Sequence, residues 1–214
     1  MHERQLNGID RLLSSANNLL RTVAAPAGEP ARPYPAAAVD DTSMSDADRR
    51  HAAGLMRVNH AGEIAAQGLY QGHALAARES RIEKQVQAAA QEEFDHLAWC
   101  EQRLNELGSS RSVLTPFWYL GAFAMGAASG ALGDKWSLGF IAETEKQVVD
   151  HLEDHFERLP ADDARSRAVV TQMRDEEQEH GQHAIEAGAA ELPGALKRLM
   201  KATSKVMTET AYRI

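Results

Sequence analysis

Arg174-Asp175-Glu176-Glu177-Gln178-Glu179-His180 holds a Glu-x-x-His pair, Glu177 and His180, and a second such pair stands upstream at Glu93-Phe94-Asp95-His96. Each pair follows a lone glutamate. Glu63 lies 30 residues before Glu93, and Glu145 lies 32 residues before Glu177. The two halves repeat at an offset of 82 for the lone glutamates and 84 for both members of the pairs. Residues three apart project from one face of a helix, so Glu and His at that spacing can reach one metal ion. Each half therefore reads as a helix with an inward glutamate, followed by an antiparallel helix with an inward Glu-x-x-His. Two halves supply four carboxylates and two imidazoles, the set with which four-helix carboxylate proteins hold two metals in their core. Without metal, four such carboxylates would repel one another and be poorly solvated.

Helical phase separates these candidates from their acidic neighbours. Met56, His60, Glu63, Gln67 and Tyr70 share a face, as do Val86, Ala90, Glu93, His96, Leu97, Cys100 and Leu104. Glu145 falls within the stripe Leu138, Ile141, Val148, Val149, Leu152 and Phe156, and Glu177 and His180 align with Val170, Met173 and Ala184. Glu143 instead aligns with Lys146 and Asp150, and Glu179 with Asp175 and Gln172, which marks solvated faces. A carboxylate inside an apolar stripe demands a partner. A single Glu-x-x-His is usually a surface pair; two at matched offset, each with its upstream glutamate, are not.

Working outward, helical pattern covers roughly 47–78, 80–107, 134–159, 164–188 and 193–212, and no stretch alternates with period two. The spacing predicts an all-α four-helix bundle with an additional C-terminal helix and a hydrophobic crossover. Residues 1–22 read as a short helix. Pro26, Pro30, Pro33 and Pro35 then interrupt regular helix, so 1–46 is expected as an arm and linker that lies over the body or moves freely, and 47–214 as the metal-binding domain. The crossover is a separate question. From Val113 to Gly133 there are 21 residues without a charge, long enough to span a bilayer. Its glycines and the Asp134-Lys135 that follows favour a buried crossover or a shallow membrane-dipping segment.

The formal charge of −8 argues against a nucleic-acid partner. Cys100 is the sole cysteine, so no intramolecular disulfide can form, and it reads as a core residue in a reducing compartment. Met1–Arg21 lacks the continuous apolar run of a secretory signal. Among the remaining histidines, His151 is a candidate to orient a ligand or a proton from just outside the ligand set, or else to make an interhelical hydrogen bond. His60 and His183 read as surface or capping residues, and His73 and His155 carry no signal.

At Arg57-Val58-Asn59-His60-Ala61-Gly62-Glu63, Glu93 to His96, Pro116-Phe117-Trp118 through Gly133, Glu145 with His151, and Arg174 to His180, the chain resembles the demethoxyubiquinone hydroxylase family. The resemblance runs from Met56 to about Ile214, and its Glu-x-x-His pairs taken alone would also fit ferritins and rubrerythrins. It implies a ferritin-like bundle and a monooxygenase that uses two iron ions and O2 to hydroxylate 2-polyprenyl-3-methyl-6-methoxy-1,4-benzoquinol (demethoxyubiquinol) in ubiquinone biosynthesis. The implied metal ligands, and through them the catalytic centre, are Glu63, Glu93, His96, Glu145, Glu177 and His180. It further implies an external reductant, NADH or another donor, since no Gly-rich dinucleotide fingerprint is present. Peripheral attachment to a membrane is implied too, on the cytoplasmic side of the inner membrane for a bacterial cell, with other ubiquinone-biosynthesis proteins as candidate partners. The final helix fits that location: Leu196, Leu199, Met200, Thr203 and Met207 share a side flanked by Lys197, Arg198, Lys201 and Lys205; a bundle-capping helix would carry the same pattern. The competing readings are a ferritin-like ferroxidase or peroxide-reducing protein, and a membrane-attached bundle without catalysis. Manganese in place of iron, isoprenoid length and oligomeric state stay open.

Overall fold

The computed structural model describes residues 8–77 and 80–214, with side chains from 13–77 and from 86 onward. Residues 1–7 of the expected N-terminal helix, and the expected helix end at 78, lie outside that range. The described residues form helices α1 (Gly8–Val23), α2 (Asp46–Ala76), α3 (Ser80–Glu106), α4 (Thr115–Ala131), α5 (Asp134–Arg158), α6 (Ala164–Glu186) and α7 (Gly194–Ala211), and no strand. α2 packs against α3, and α5 packs against α6 across the short link 159–163. The ends are set locally. Ser45 Oγ accepts the amide of Asp48 at 3.1 Å to start α2, and Asp163 Oδ1 accepts that of Ser166 at 2.9 Å to start α6. Pro160, with no amide hydrogen, stops α5.

The interior of the α2/α3/α5/α6 bundle is layered. One apolar layer holds Leu55, Met56, Trp99, Cys100, Leu104, Leu152, Val170 and Met173. The other holds Ala66, Tyr70, Ala74, Val86, Ala90, Leu138, Ile141 and Ala184. On every one of the four helices the Glu and His candidates fall between the two layers. Water is thereby shut out from both ends. Cys100 is fully buried against Met173, as a core cysteine should be.

The uncharged crossover is a regular helix. α4 lies along α2 rather than looping across the bundle, and the two backbones nearly touch. A Cβ at Gly72 would fall on the carbonyl oxygen of Phe123, and one at Gly126 on that of Leu69. Glycine is required there because nothing larger fits between two main chains. No helix among the described residues is long and apolar enough to cross a membrane. The outer face of α4 nevertheless leaves Phe117 and Leu120 exposed.

The proline-rich segment before α2 follows α3. The Ala27 amide donates to Glu101 Oε2 at 2.5 Å, the Ala31 amide to Asp95 Oδ1 at 2.7 Å, and Tyr34 and Ala36 enter the apolar layer that holds Trp99 and Cys100. At the other terminus Arg57 on α2 reaches the Tyr212 carbonyl at 2.9 Å and Ser109 Oγ at 2.7 Å. That clasp holds the end of α7 and the loop after α3 to the bundle.

Candidate metal centre

Glu63 comes from α2, Glu93 and His96 from α3, Glu145 from α5, and Glu177 and His180 from α6. All six are buried, the four carboxylates at 0–3% exposure. Donor atoms of Glu63, Glu93, His96 and Glu177 lie within 4.8 Å of one another. The imidazoles of His96 and His180 face each other with ring centres 6.2 Å apart. Between them, Glu93 and Glu177 each turn one oxygen to each ring. His96 Nδ1 is 3.2 Å from Glu93 Oε2 and 3.0 Å from Glu177 Oε1. His180 Nδ1 is 3.2 Å from Glu93 Oε1 and 3.2 Å from Glu177 Oε2. Glu63 closes the His96 end at 3.7 Å from Nδ1. Glu145 stands by His180, where its Oε1 accepts from the Tyr70 hydroxyl at 2.7 Å.

The electrostatics of this group call for cations. Burial, then the charges of the neighbouring carboxylates, push Glu145 well above the ordinary carboxylate range; burial does the same to Glu63 against a weaker pull from His96. Burial disfavours a charged His96, yet hydrogen bonds to Glu176, Glu177, Glu63 and Glu93 hold it well above the ordinary imidazole value. His180 rises to about 12 against its burial, through Glu177 and Glu93. Two imidazolium ions cannot balance four carboxylates, so protons must be taken up where metal ions are absent. Four oxygen-bearing and two nitrogen-bearing ligands in a dry interior fit two divalent or trivalent ions, and carboxylate with imidazole suits iron or manganese.

Each imidazole is also held from behind, by residues that the helical phase alone did not single out. His96 Nε2 meets Glu176 Oε2 at 2.6 Å, and His180 Nε2 meets Glu92 Oε2 at 2.8 Å. The contacts are reciprocal: α6 supplies the carboxylate for the histidine of α3, and α3 for that of α6. With the Nε2–H hydrogen-bonded to a carboxylate, Nδ1 faces the centre, where its lone pair becomes available once a metal ion replaces the Nδ1 proton. The sequence signal was present as Glu-Glu-x-x-His in both halves.

The other histidines divide. His151 packs its ring 3.8 Å from that of His155, whose Nδ1 lies 2.7 Å from Asn59 Oδ1. His151 therefore packs at a tilt against His155 and lines the same cavity as Glu63. His60 is buried at 1% exposure, not at the surface, because α2 is enclosed by its neighbours along most of its length; His183 is exposed as expected. His73, which the sequence left silent, is buried against Ser129 and Ser137.

A cavity of about 280 Å³ adjoins Glu63. Its walls are mostly apolar: Leu69 of α2, Trp118 and Met125 of α4, Phe140 of α5, and Met200 and Met207 of α7. Asn59, Gln147 and His151 are among the few polar groups that face it.

A helical bundle with this interior defines a ferritin-like carboxylate protein. The family model "Ubiquinone biosynthesis protein COQ7" matches residues 50–211. The chain belongs to that family. It is similar to the 3-demethoxyubiquinol 3-hydroxylase of Ralstonia pickettii, at 54% identity over 96% of this chain and all of that protein. It is equally similar in extent to the proteins of the same name from Nitrosococcus oceani, 51% identical over the full length of both, and Chromobacterium violaceum, 52% identical over 96% of this chain and all of that protein.

Proposed function

We propose that this chain is a 3-demethoxyubiquinol 3-hydroxylase, a monooxygenase that adds a hydroxyl to the demethoxyubiquinol ring in ubiquinone biosynthesis. The observation that carries the reading is a shared residue: Glu63 belongs both to the buried Glu/His group and to the lining of a mostly apolar cavity large enough for a quinol ring. A ferroxidase or peroxide-reducing protein has no use for such a cavity. Glu63, Glu93, His96, Glu145, Glu177 and His180 would hold two iron ions. When bound and reduced, that pair supplies the activation of O2 that no amino-acid side chain provides.

The remaining chemistry belongs to the protein. The two apolar layers and the aromatic cavity wall exclude water from the ring and the centre. Trp118 and Phe140 fit the flat ring and the first isoprene units. Burial lowers the His151 imidazole to about 4, so it is neutral at pH 7 and able to exchange a hydrogen bond with a ring hydroxyl. Electrons are supplied from outside by NADH or another donor. The isoprenoid tail requires access to lipid. Phe117, Leu120 and Leu132 in and just after α4, and Leu199 and Val206 on α7, are exposed apolar side chains, and Lys201 and Lys205 on α7 are exposed too, a combination that suits peripheral attachment to a bilayer. For a bacterial cell that is the cytoplasmic side of the inner membrane, where other ubiquinone-biosynthesis proteins would be partners.

Glu177→Ala tests the reading. The variant is expected to lose bound iron and hydroxylation of a short-chain quinol analogue together, by at least 100-fold in turnover. Full hydroxylation by an iron-free variant would refute it.

A further inference from the structure

We propose that Arg32, on the proline-rich arm, is a positioning residue for the His96 end of the metal centre, and that through it the arm makes the two metal positions unequal in strength. The inference rests on the metal reading above and adds a residue outside the 50–211 span that defines the family. Arg32 Nη1 donates to Glu176 Oε1 at 2.6 Å, and the other oxygen of that carboxylate holds His96 Nε2 at 2.6 Å. One carboxylate thus links an arm residue to a ligand imidazole. The arm itself is fixed. Arg32 Nε and the Ala31 amide take the two oxygens of buried Asp95 at 2.6 and 2.7 Å. The guanidinium lies 4.9 Å over the Trp99 ring, which lies 5.4 Å from that of His96. Pro30 and Pro33 bracket the pair and limit the conformations this stretch can adopt.

The His180 end is built differently. Glu92 supports His180 Nε2, but its side chain is 50% exposed, against 14% for Glu176. Arg32 touches Glu92 only at the main-chain carbonyl, at 3.5 Å. A carboxylate clamped by a guanidinium holds an imidazole in one orientation; a half-solvated one lets it swing. The His96 position therefore binds metal more tightly than its twin, and the difference originates in the arm.

Equilibrium dialysis of the full chain against Co(II), read by metal content and visible absorption, tests this. The unaltered chain is expected to take up about two ions in two steps. Arg32→Ala should weaken one step about 10- to 100-fold and leave the other alone. Glu176→Gln should weaken the same step, and adding Arg32→Ala to it should cost nothing further. Glu92→Gln should weaken the other step, so that its effect and that of Arg32→Ala add. Loss of both steps alike in Arg32→Ala, loss of neither, or an additive effect with Glu176→Gln would overturn the proposal. Should Arg32→Ala fail to fold, Glu176→Gln and Glu92→Gln acting on the same step would overturn it equally. An unaltered chain that binds no Co(II) sinks the metal reading as well; two ions bound and an unaffected Arg32→Ala sinks this inference alone.

Discussion

His73 shows what a buried group without counter-charge does to the molecule. Its Nδ1 lies 2.6 Å from Ser137 Oγ and 3.3 Å from Ser129 Oγ, and its Nε2 has no partner among the described residues. Burial lowers it to about 3, as it does His60. The unfolded chain protonates these imidazoles from about pH 6.5 downward, whereas the folded chain resists until about pH 3. Proton uptake therefore favours unfolding, and the stability these groups allow at neutral pH is lost as pH falls through that window. In His73→Gln the loss of stability on acidification should be shallower by up to about 1.4 kcal/mol per pH unit, measured by urea unfolding at several pH values. Identical slopes would show that the His73 imidazole takes up its proton as readily in the folded chain as in the unfolded one. None of this was legible in the sequence, where His73 sits among small residues without a pattern. The six candidate ligands were legible because helical spacing alone puts them on the inner faces. The carboxylates behind the histidines left only the doubled Glu of each Glu-Glu-x-x-His as a trace, and helical phase passed over it, since Glu92 and Glu176 meet a ring only across to the next helix.

At the level of elements, the α2–α4 contact fixes the cavity. Gly72 and Gly126 let the two backbones approach, and the α4 side chains thereby reach over Glu63's neighbours Ala66 and Leu69 to form the cavity wall. Gly72→Ala should push α4 outward and destabilise the fold by about 1–3 kcal/mol, the cost of overpacking a tight contact. Urea unfolding measures it, and a change under about 0.5 kcal/mol would contradict the close approach. Periodicity identified α3, α5, α6 and α7 to within a few residues because each has a wetter and a drier face, and α2 because its polar and apolar residues still recur at helical spacing although its neighbours enclose most of it. It gave no helix for α4, which is apolar on every side: its inner face meets α2, and its outer face stays bare. A pattern of contrast cannot reveal an element that lacks contrast.

For the whole molecule, an acidic chain carries a membrane-facing reading only if apolar contact does the work. Phe117 is 69% exposed and Leu120 51%, on one side of α4. Replacing both with Ser should cut co-sedimentation with phosphatidylethanolamine–phosphatidylglycerol vesicles at least 10-fold, with folding intact, because each removes a large apolar contact from the lipid boundary. Unchanged co-sedimentation, or none in the unaltered chain, would contradict a membrane-facing α4. The arm is the other whole-molecule feature that the sequence left undecided. Its prolines exclude helix but do not say where the chain goes; that depends on Asp95, Glu101 and Glu106, which look like ordinary surface acids until α3 is placed. The halves of the bundle, by contrast, follow from the repeated Glu and Glu-x-x-His spacing. Elemental analysis of the purified full chain beside Glu93→Ala addresses that construction most directly. About two iron ions per chain, falling to nearly none in the variant, is the expected result. Equal metal content in the two proteins, or none in either, would mean that these six side chains hold no metal pair.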